Sequence, residues 1–339
     1  MQTRRRWLES IGVGLLGAQL GGGCSKQESG GRGTTGGSSA AQGTAPAGPA
    51  QGPARFVIGM SQSNLGEPYR VQMNADLARE AGAHPELSLI FKDAQNDSLR
   101  QRAQVEELVS QGISLLLISP KESAPLTAPV AHVFEQGIPV IVLDRRVEGD
   151  RFTTFIGADN QRIGQAAGKW VVDALGGKGK LVELEGLMTS SPARERHDGF
   201  WAGVDRRAHP ELEVVFSADT QWLEPNARRE MESALAAHPH IDLVFAHNDP
   251  GAHGAYLAAK AAGREKEMKF VGIDALAQEG VRYVREGWLD ATFQYATCAK
   301  EAIETALKIR AKEPVPKQII LGTRRFDKAS LEQGGVPID

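Results

Sequence analysis

Asp144, Arg145 and Arg146 stand directly after Ile138–Leu143, a short β-branched apolar run entered through Gly137 and Pro139. Such a run reads as a strand buried on both faces, as in a parallel sheet. In open α/β sheets ligands sit beyond the carboxyl ends of the strands, so an acid and two arginines here are aimed at a site. Alone, the triplet could equally be a solvated surface ion-pair cluster. The same chemistry recurs, however: Arg194 and Arg196, Trp222, Asn248 with Asp249 after Leu243–Ala246, and Asp274 after Phe270–Ile273. This mixture of acceptors, donors and an aromatic suits a neutral polyol. Each hydroxyl both donates and accepts, so carboxylates take its protons while Arg and Asn donate to its oxygens. Its C–H faces are apolar and lie well against Tyr or Trp rings. An anionic ligand would favour arginines without so many acids. Taken singly, Asp274 could cap the next helix and Trp222 could be core.

Other motifs point nowhere. Gly176-Gly177-Lys178-Gly179-Lys180 precedes a strand and lacks the hydroxyl after its lysine, so it reads as a helix-to-strand turn and not a phosphate loop. His238 with His240, and His247 with His253, lack a metal-binding spacing, so no metal is expected. There is no Gly-x-Ser-x-Gly nucleophile elbow, and Cys298 reads as a small packed helix residue. No catalytic set assembles, and no cofactor is implied.

The elements that must position these residues alternate from Arg55 onward. Strand-like runs at Phe56–Met60, Leu87–Phe91, Leu115–Ile118, Ile138–Leu143 and Phe155–Ala158 are separated by helical patterns. The alternation then restarts at Lys180–Leu184 and continues through Glu213–Phe216, Leu243–Ala246, Phe270–Ile273 and Ala291–Tyr295. Two successive units of about 100 residues are the size of two α/β domains. A chain of 339 residues, 41% hydrophobic, accommodates them, and a net charge of -3 gives no case for a nucleic-acid partner.

The first residues read as an address. Thr3-Arg4-Arg5-Arg6-Trp7-Leu8 precedes an apolar stretch, Ile11–Leu20, too short to span a bilayer. It resembles a twin-arginine export signal. Leu20-Gly21-Gly22-Gly23-Cys24 resembles a bacterial lipobox, although Leu20 stands one place too early. Residues 1–24 are thus read as an export signal ending at a lipidated Cys24. Residues 25–53, rich in Gly, Ser, Ala, Thr and Pro, are read as a flexible tether.

Five ordered motifs carry a family resemblance: Ile138–Arg145, Ala158–Asn160, Ala193–Phe200, Phe245–Asp249 and Val271–Asp274. They resemble the type I periplasmic binding proteins, the ribose- and galactofuranose-binding components of ABC importers, from about Phe56 to Thr323. The resemblance implies two doubly wound parallel-sheet, Rossmann-like domains that close on a monosaccharide, with the chain crossing the hinge near Ala158, Tyr295 and Pro314. The implied lobes are residues 54–158 with 296–313, and 159–295 with 314–339. Asp144 and Arg145 should bind from the first lobe, and Arg196, Trp222, Asn248 and Asp274 from the second. Where ribose binders carry paired phenylalanines, this chain has Glu67-Pro68-Tyr69-Arg70, in which Tyr69 can stack while Glu67 and Arg70 add charge. Where they carry a glutamine at the last crossing, Tyr295 aligns, with Gln294 on the opposite strand face. Asn64, Arg194, Asp249 and Gln294 complete the candidate set. The implied partners are the sugar, an ABC permease and a membrane held through Cys24; the implied state is a monomer without enzymatic activity. A sensing subunit shares the clamp and changes its output. A transcription regulator would need a DNA-binding module where this chain has a signal and tether, and a sugar-acting enzyme would show turnover. Asp144→Ala and Arg196→Ala are expected to abolish binding with little loss of fold.

Overall fold

The computed structural model describes residues 55–338; the expected signal, Cys24 and tether lie outside them. The first lobe is built from β1 (Phe56–Gln62), α1 (Pro68–Gly82), β2 (Leu87–Asp93), α2 (Ser98–Ser110), β3 (Leu115–Ile118), α3 (Ser123–Glu135), β4 (Val140–Leu143) and β5 (Thr154–Ala158). These strands lie in the order β5-β4-β3-β1-β2, all parallel. The register pairs Ser61 with Ile118, and Ile118 with Val142, so polar residues just past each strand collect along one edge of the sheet. Helix starts are set locally. Pro68 opens α1, and Asp97 accepts from the Leu99 and Arg100 amides to cap α2.

The second lobe repeats the plan. It holds α4 (Asn160–Leu175), β6 (Gly179–Glu185), α5 (Ser191–Val204), β7 (Leu212–Asp219), α6 (Glu224–Ala237), β8 (Leu243–Ala246), α7 (Asp249–Ala261), β9 (Lys269–Asp274), α8 (Gly280–Glu286) and β10 (Ala291–Gln294). Its parallel strands run β10-β9-β8-β6-β7. Helices α4 and α5 approach through glycines: a Cβ on Gly164 would lie 2.4 Å from the Arg196 carbonyl oxygen, and one on Gly168 2.2 Å from that of Phe200. This backbone contact brings Arg196 against Asn160 at the start of α4.

The chain then returns as α9 (Ala299–Arg310), which packs against α1, and finishes with β11 (Gln318–Leu321), β12 (Arg324–Asp327) and β13 (Val336–Pro337). Two doubly wound parallel sheets are therefore present, as the resemblance implies, and β12 and β13 extend the second with antiparallel strands. The boundary expected near Pro314 moves. β11 pairs in parallel with β5, Ile319 opposite Ile156, so it belongs to the first sheet and the last crossing follows Leu321. Otherwise the outer backbone edge of β5 would have no partner. Cys298 also departs from expectation. It is the N-cap of α9 with φ +64, buried at the second crossing and not inside the helix. One apolar core runs through both lobes along the hinge, from Ile58 and Leu117 to Phe245 and Phe293. Separate clusters fill the outer faces of the two sheets.

Candidate functional site

Eleven residues surround a polar cavity of about 10 Å³ between the lobes: Glu67, Tyr69, Arg70, Asp144 and Arg145 from the first, Pro192, Arg196, Trp222, Asn248 and Asp274 from the second, and Tyr295 from the second crossing. That volume is room for roughly one water. The first-lobe groups form one ionic mesh. Arg70 Nη1 donates to the Asp144 carboxylate and to Ser119 Oγ (2.8 Å), and Ser119 Oγ donates to Asp144 (2.8 Å). Glu67 lies 3.5 Å from Arg70 Nε and 3.6 Å from Arg145 Nη2. Burial alone would raise the Asp144 carboxyl, but Arg70 and Arg145 outweigh it and hold it below the usual carboxylate range. Burial, then repulsion from Arg70, lowers the Arg145 guanidinium to about 10.

In the second lobe, Arg196 Nε donates to Asn160 Oδ1 (2.9 Å) and its Nη1 to the His247 carbonyl. Asp274 lies 4.0 Å from Arg196. Burial drives the Asp274 carboxyl well above the ordinary value; Arg196 opposes this, and Asp249 reinforces it. Asn248 has two tasks. Its Oδ1 accepts from the Gly251 amide to cap α7, and its Nδ2 donates to the Trp222 carbonyl (2.9 Å). At the crossing, Tyr295 Oη donates to the Asp144 carbonyl (2.9 Å) and accepts from Asn160 Nδ2 (3.3 Å), while Tyr69 Oη donates to the Ala296 carbonyl (2.8 Å). The two tyrosine rings are 5.3 Å apart.

Around the cavity three arginines face three carboxyl groups. Arg70 Nε, Arg145 Nε and Nη2, and Trp222 Nε1 are buried donors without a hydrogen-bond acceptor among the described residues. Leaving buried donors unpaired costs about 1–3 kcal/mol each, so a ligand bearing several oxygens but no net charge complements this wall.

The matching family model, described as the periplasmic binding protein domain, covers residues 58–313. The chain belongs to this family. It is similar to the ribose import binding protein of Bacillus subtilis (strain 168), 34% identical over 78% of this chain and 85% of that protein. It is also similar to the ribose import binding protein of Escherichia coli (strain K12), 31% identical over 79% and 91%. Among solved structures, the fructose-binding periplasmic domain of a hybrid two-component system superposes with TM-score 0.79 at 41% identity, covering 83% of this chain and 93% of that one. A Bacillus halodurans C-125 ABC transporter solute-binding protein with bound myo-inositol gives 0.78 at 28%, covering 83% and 97%.

All ten principal sequence candidates line the cavity; the other four do not. Asn64 Nδ2 donates to Glu67 (2.6 Å) and holds it from behind. Arg194 is exposed and reaches the Met188 carbonyl and, at 3.5 Å, Ser123 Oγ of the other lobe. Asp249 lies beneath the site, accepting from the Ala275 amide (2.7 Å) and Thr292 Oγ1 (2.6 Å). Gln294 lines a neighbouring open groove with Leu65 and Val71. Sequence reasoning missed Pro192, Ser119 and Asn160. Ser119 follows a strand end, while Pro192 and Asn160 stand in the first turns of helices, but none carries charge or an aromatic ring to single it out.

Glu183, His197 and His247 are close enough together to suggest a metal. The hydrogen bonds argue otherwise. The Gly186 amide donates to His247 Nδ1 (3.1 Å), which puts the proton on Nε2, facing Glu183 at 3.1 Å. His197 and Trp201 also contact Glu183; burial would raise its carboxyl, but His197 and His247 outweigh burial and lower the carboxyl to about 2. The cluster is a satisfied internal network that holds the start of α7 and the carbonyl gripping Arg196.

Proposed function

We propose that this protein is an exported binding protein that captures a neutral monosaccharide between its lobes and presents it to an ABC permease. The observation that carries the reading is the cavity wall itself, with as many carboxyl groups as arginines, unpaired buried donors and aromatic rings at the junction of the lobes. A sugar is larger than the present cavity, so binding proceeds through lobe opening about the crossings and closure onto the ligand. The closed state is then favoured by contacts to both lobes at once. Asp144 and Asp274 accept from or share protons with hydroxyls, Arg145, Arg196 and Asn248 donate, and Trp222, Tyr69 and Tyr295 cover the C–H faces. The ligand is released unchanged. The N-terminal segment, through a lipidated Cys24, keeps the monomeric binding body at the outer face of a bacterial membrane.

The relatives named for ribose import support the transport reading. A second reading, delivery of the closed form to a sensor kinase, is favoured by the 41% identity to a periplasmic domain of a hybrid two-component system. Growth on the bound sugar after deletion of the gene separates the two: loss of uptake supports transport, whereas intact uptake with lost transcriptional induction supports sensing.

The direct test is thermal unfolding against D-ribose, D-fructose, D-allose and myo-inositol. A ligand that binds only the folded state raises the midpoint by mass action. A rise with one compound and no product formed supports capture; no rise with any sugar, together with a rise for a charged solute, overturns the sugar reading.

A further inference from the structure

We propose that Gly186 sets how far the Trp222 indole enters the cleft, and thereby the size of polyol the cleft admits; the second half rests on the proposed sugar binding. Gly186 is the residue immediately after β6 and is buried. A Cβ placed there would lie 2.3 Å from Trp222 Cη2 and 2.4 Å from Cζ2 and Cζ3, all on the six-membered ring. Carbon contacts are ordinarily about 3.5–4.0 Å, so the indole would have to move by roughly 1 Å or more. The backbone of Gly186 is not in the left-handed region, so alanine is conformationally allowed there. The glycine is required by the ring and not by the turn.

The indole has little freedom to yield elsewhere. Gln221 and Trp222 both have positive φ, +55 and +70, and the Trp222 carbonyl is held by Asn248. The Thr220 amide (2.9 Å) and hydroxyl (2.7 Å) both donate to the Glu185 carbonyl, stitching the loop that carries Trp222 to the residue before Gly186. The ring also neighbours site groups, with the Arg145 and Arg196 guanidinium carbons 5.4 and 5.3 Å from its centroid, and the His247 ring at 6.4 Å. A ring displaced from Gly186 therefore moves among the groups that line the cavity, and its unpaired Nε1 leaves its present direction.

The test uses the full chain with Gly186→Ala, Trp222→Phe and the double variant, titrated with whichever of D-ribose, D-fructose, D-allose and myo-inositol shifts the wild type. Gly186→Ala should weaken binding at least ~10-fold, since misplacing a binding group by about 1 Å is costly. Trp222→Phe removes the three clashing atoms, so it should weaken binding in the wild-type background yet strengthen it in the Gly186→Ala background. That reversal of sign is the signature. Unchanged affinity in Gly186→Ala, or a further loss in the double variant, overturns the proposal. The unfolding midpoint reads the packing without a ligand: Gly186→Ala should lower it and the added Trp222→Phe restore it. If Gly186→Ala fails to fold, recovery of folding by Trp222→Phe supports the proposal and continued misfolding overturns it. A wild type that binds none of the four compounds counts against the sugar reading alone, and the midpoints still decide the packing.

Discussion

Asp144→Ala should damage both binding and the fold. Asp144 is 1% exposed and receives hydrogen bonds from Arg70 and Ser119, with Arg145 Nε at 3.8 Å. Removing one partner of a buried ion pair costs about 3–5 kcal/mol because the other charge is left uncompensated. Glu67 remains 3.5 Å from Arg70, which places the loss near the lower end, about 3 kcal/mol. For a body of this size that lowers the unfolding midpoint by about 5 °C. The expectation from sequence, loss of binding with little loss of fold, is thereby revised: the carboxylate is a structural countercharge as well as a candidate contact. The assay is calorimetric unfolding of wild type, Asp144→Ala and Asp144→Asn at pH 7, with sugar titration of each. Asparagine keeps an acceptor for Arg70 and Ser119 and should recover about half of the lost stability. An Asp144→Ala midpoint within about 1 °C of wild type would refute the reasoning about the mesh.

Arg196→Ala should weaken sugar binding by roughly 100-fold, about 2.7 kcal/mol, because it removes a buried donor held in place by Asn160 and the His247 carbonyl; isothermal titration measures it. Stability should fall as pH rises from about 4 to 7. Burial raises the folded carboxyls of Asp249 to about 6 and Glu279 to about 7, and raises Asp274 as well. Their stabilisation is thus complete below the unfolded values and lost on passing the folded ones; unfolding midpoints across pH should show the slope, and Glu279→Gln should flatten its upper part. Asp144, held low, acts in the opposite sense and only as pH falls below about 4. Affinity for a neutral sugar should change less than about twofold between roughly 0.05 and 0.5 M salt, since the three arginines already face three acids; a steep salt dependence would point to a charged ligand.

The residues whose chemistry is local were legible in the chain. Apolar runs such as Ile138–Leu143 mark strands, and parallel register alone brings the residues just past their ends to one edge of the sheet, which is why Asp144, Asn248 and Asp274 could be named. The choice of Tyr295 over Gln294 comes from the family resemblance, which aligns Tyr295 with a ligand position; the alternation of a strand adds only that the two residues face opposite sides. The chain could not tell which partner each group touches. Glu67 and Arg70 look like charges offered to a ligand, yet they are largely engaged with Asp144 and Arg145, a relation that exists only once β1 and β4 lie near each other across β3. β11 carries no mark of its sheet, because strand pairing is non-local and either lobe offers an edge. Gly186 is silent in sequence, since a missing Cβ acquires meaning only when Trp222, 36 positions later, packs into its place. Residue type and period determined the elements and the polar groups at their ends; tertiary packing alone decided which of those groups neutralise one another and which are left with unpaired donors facing the cleft.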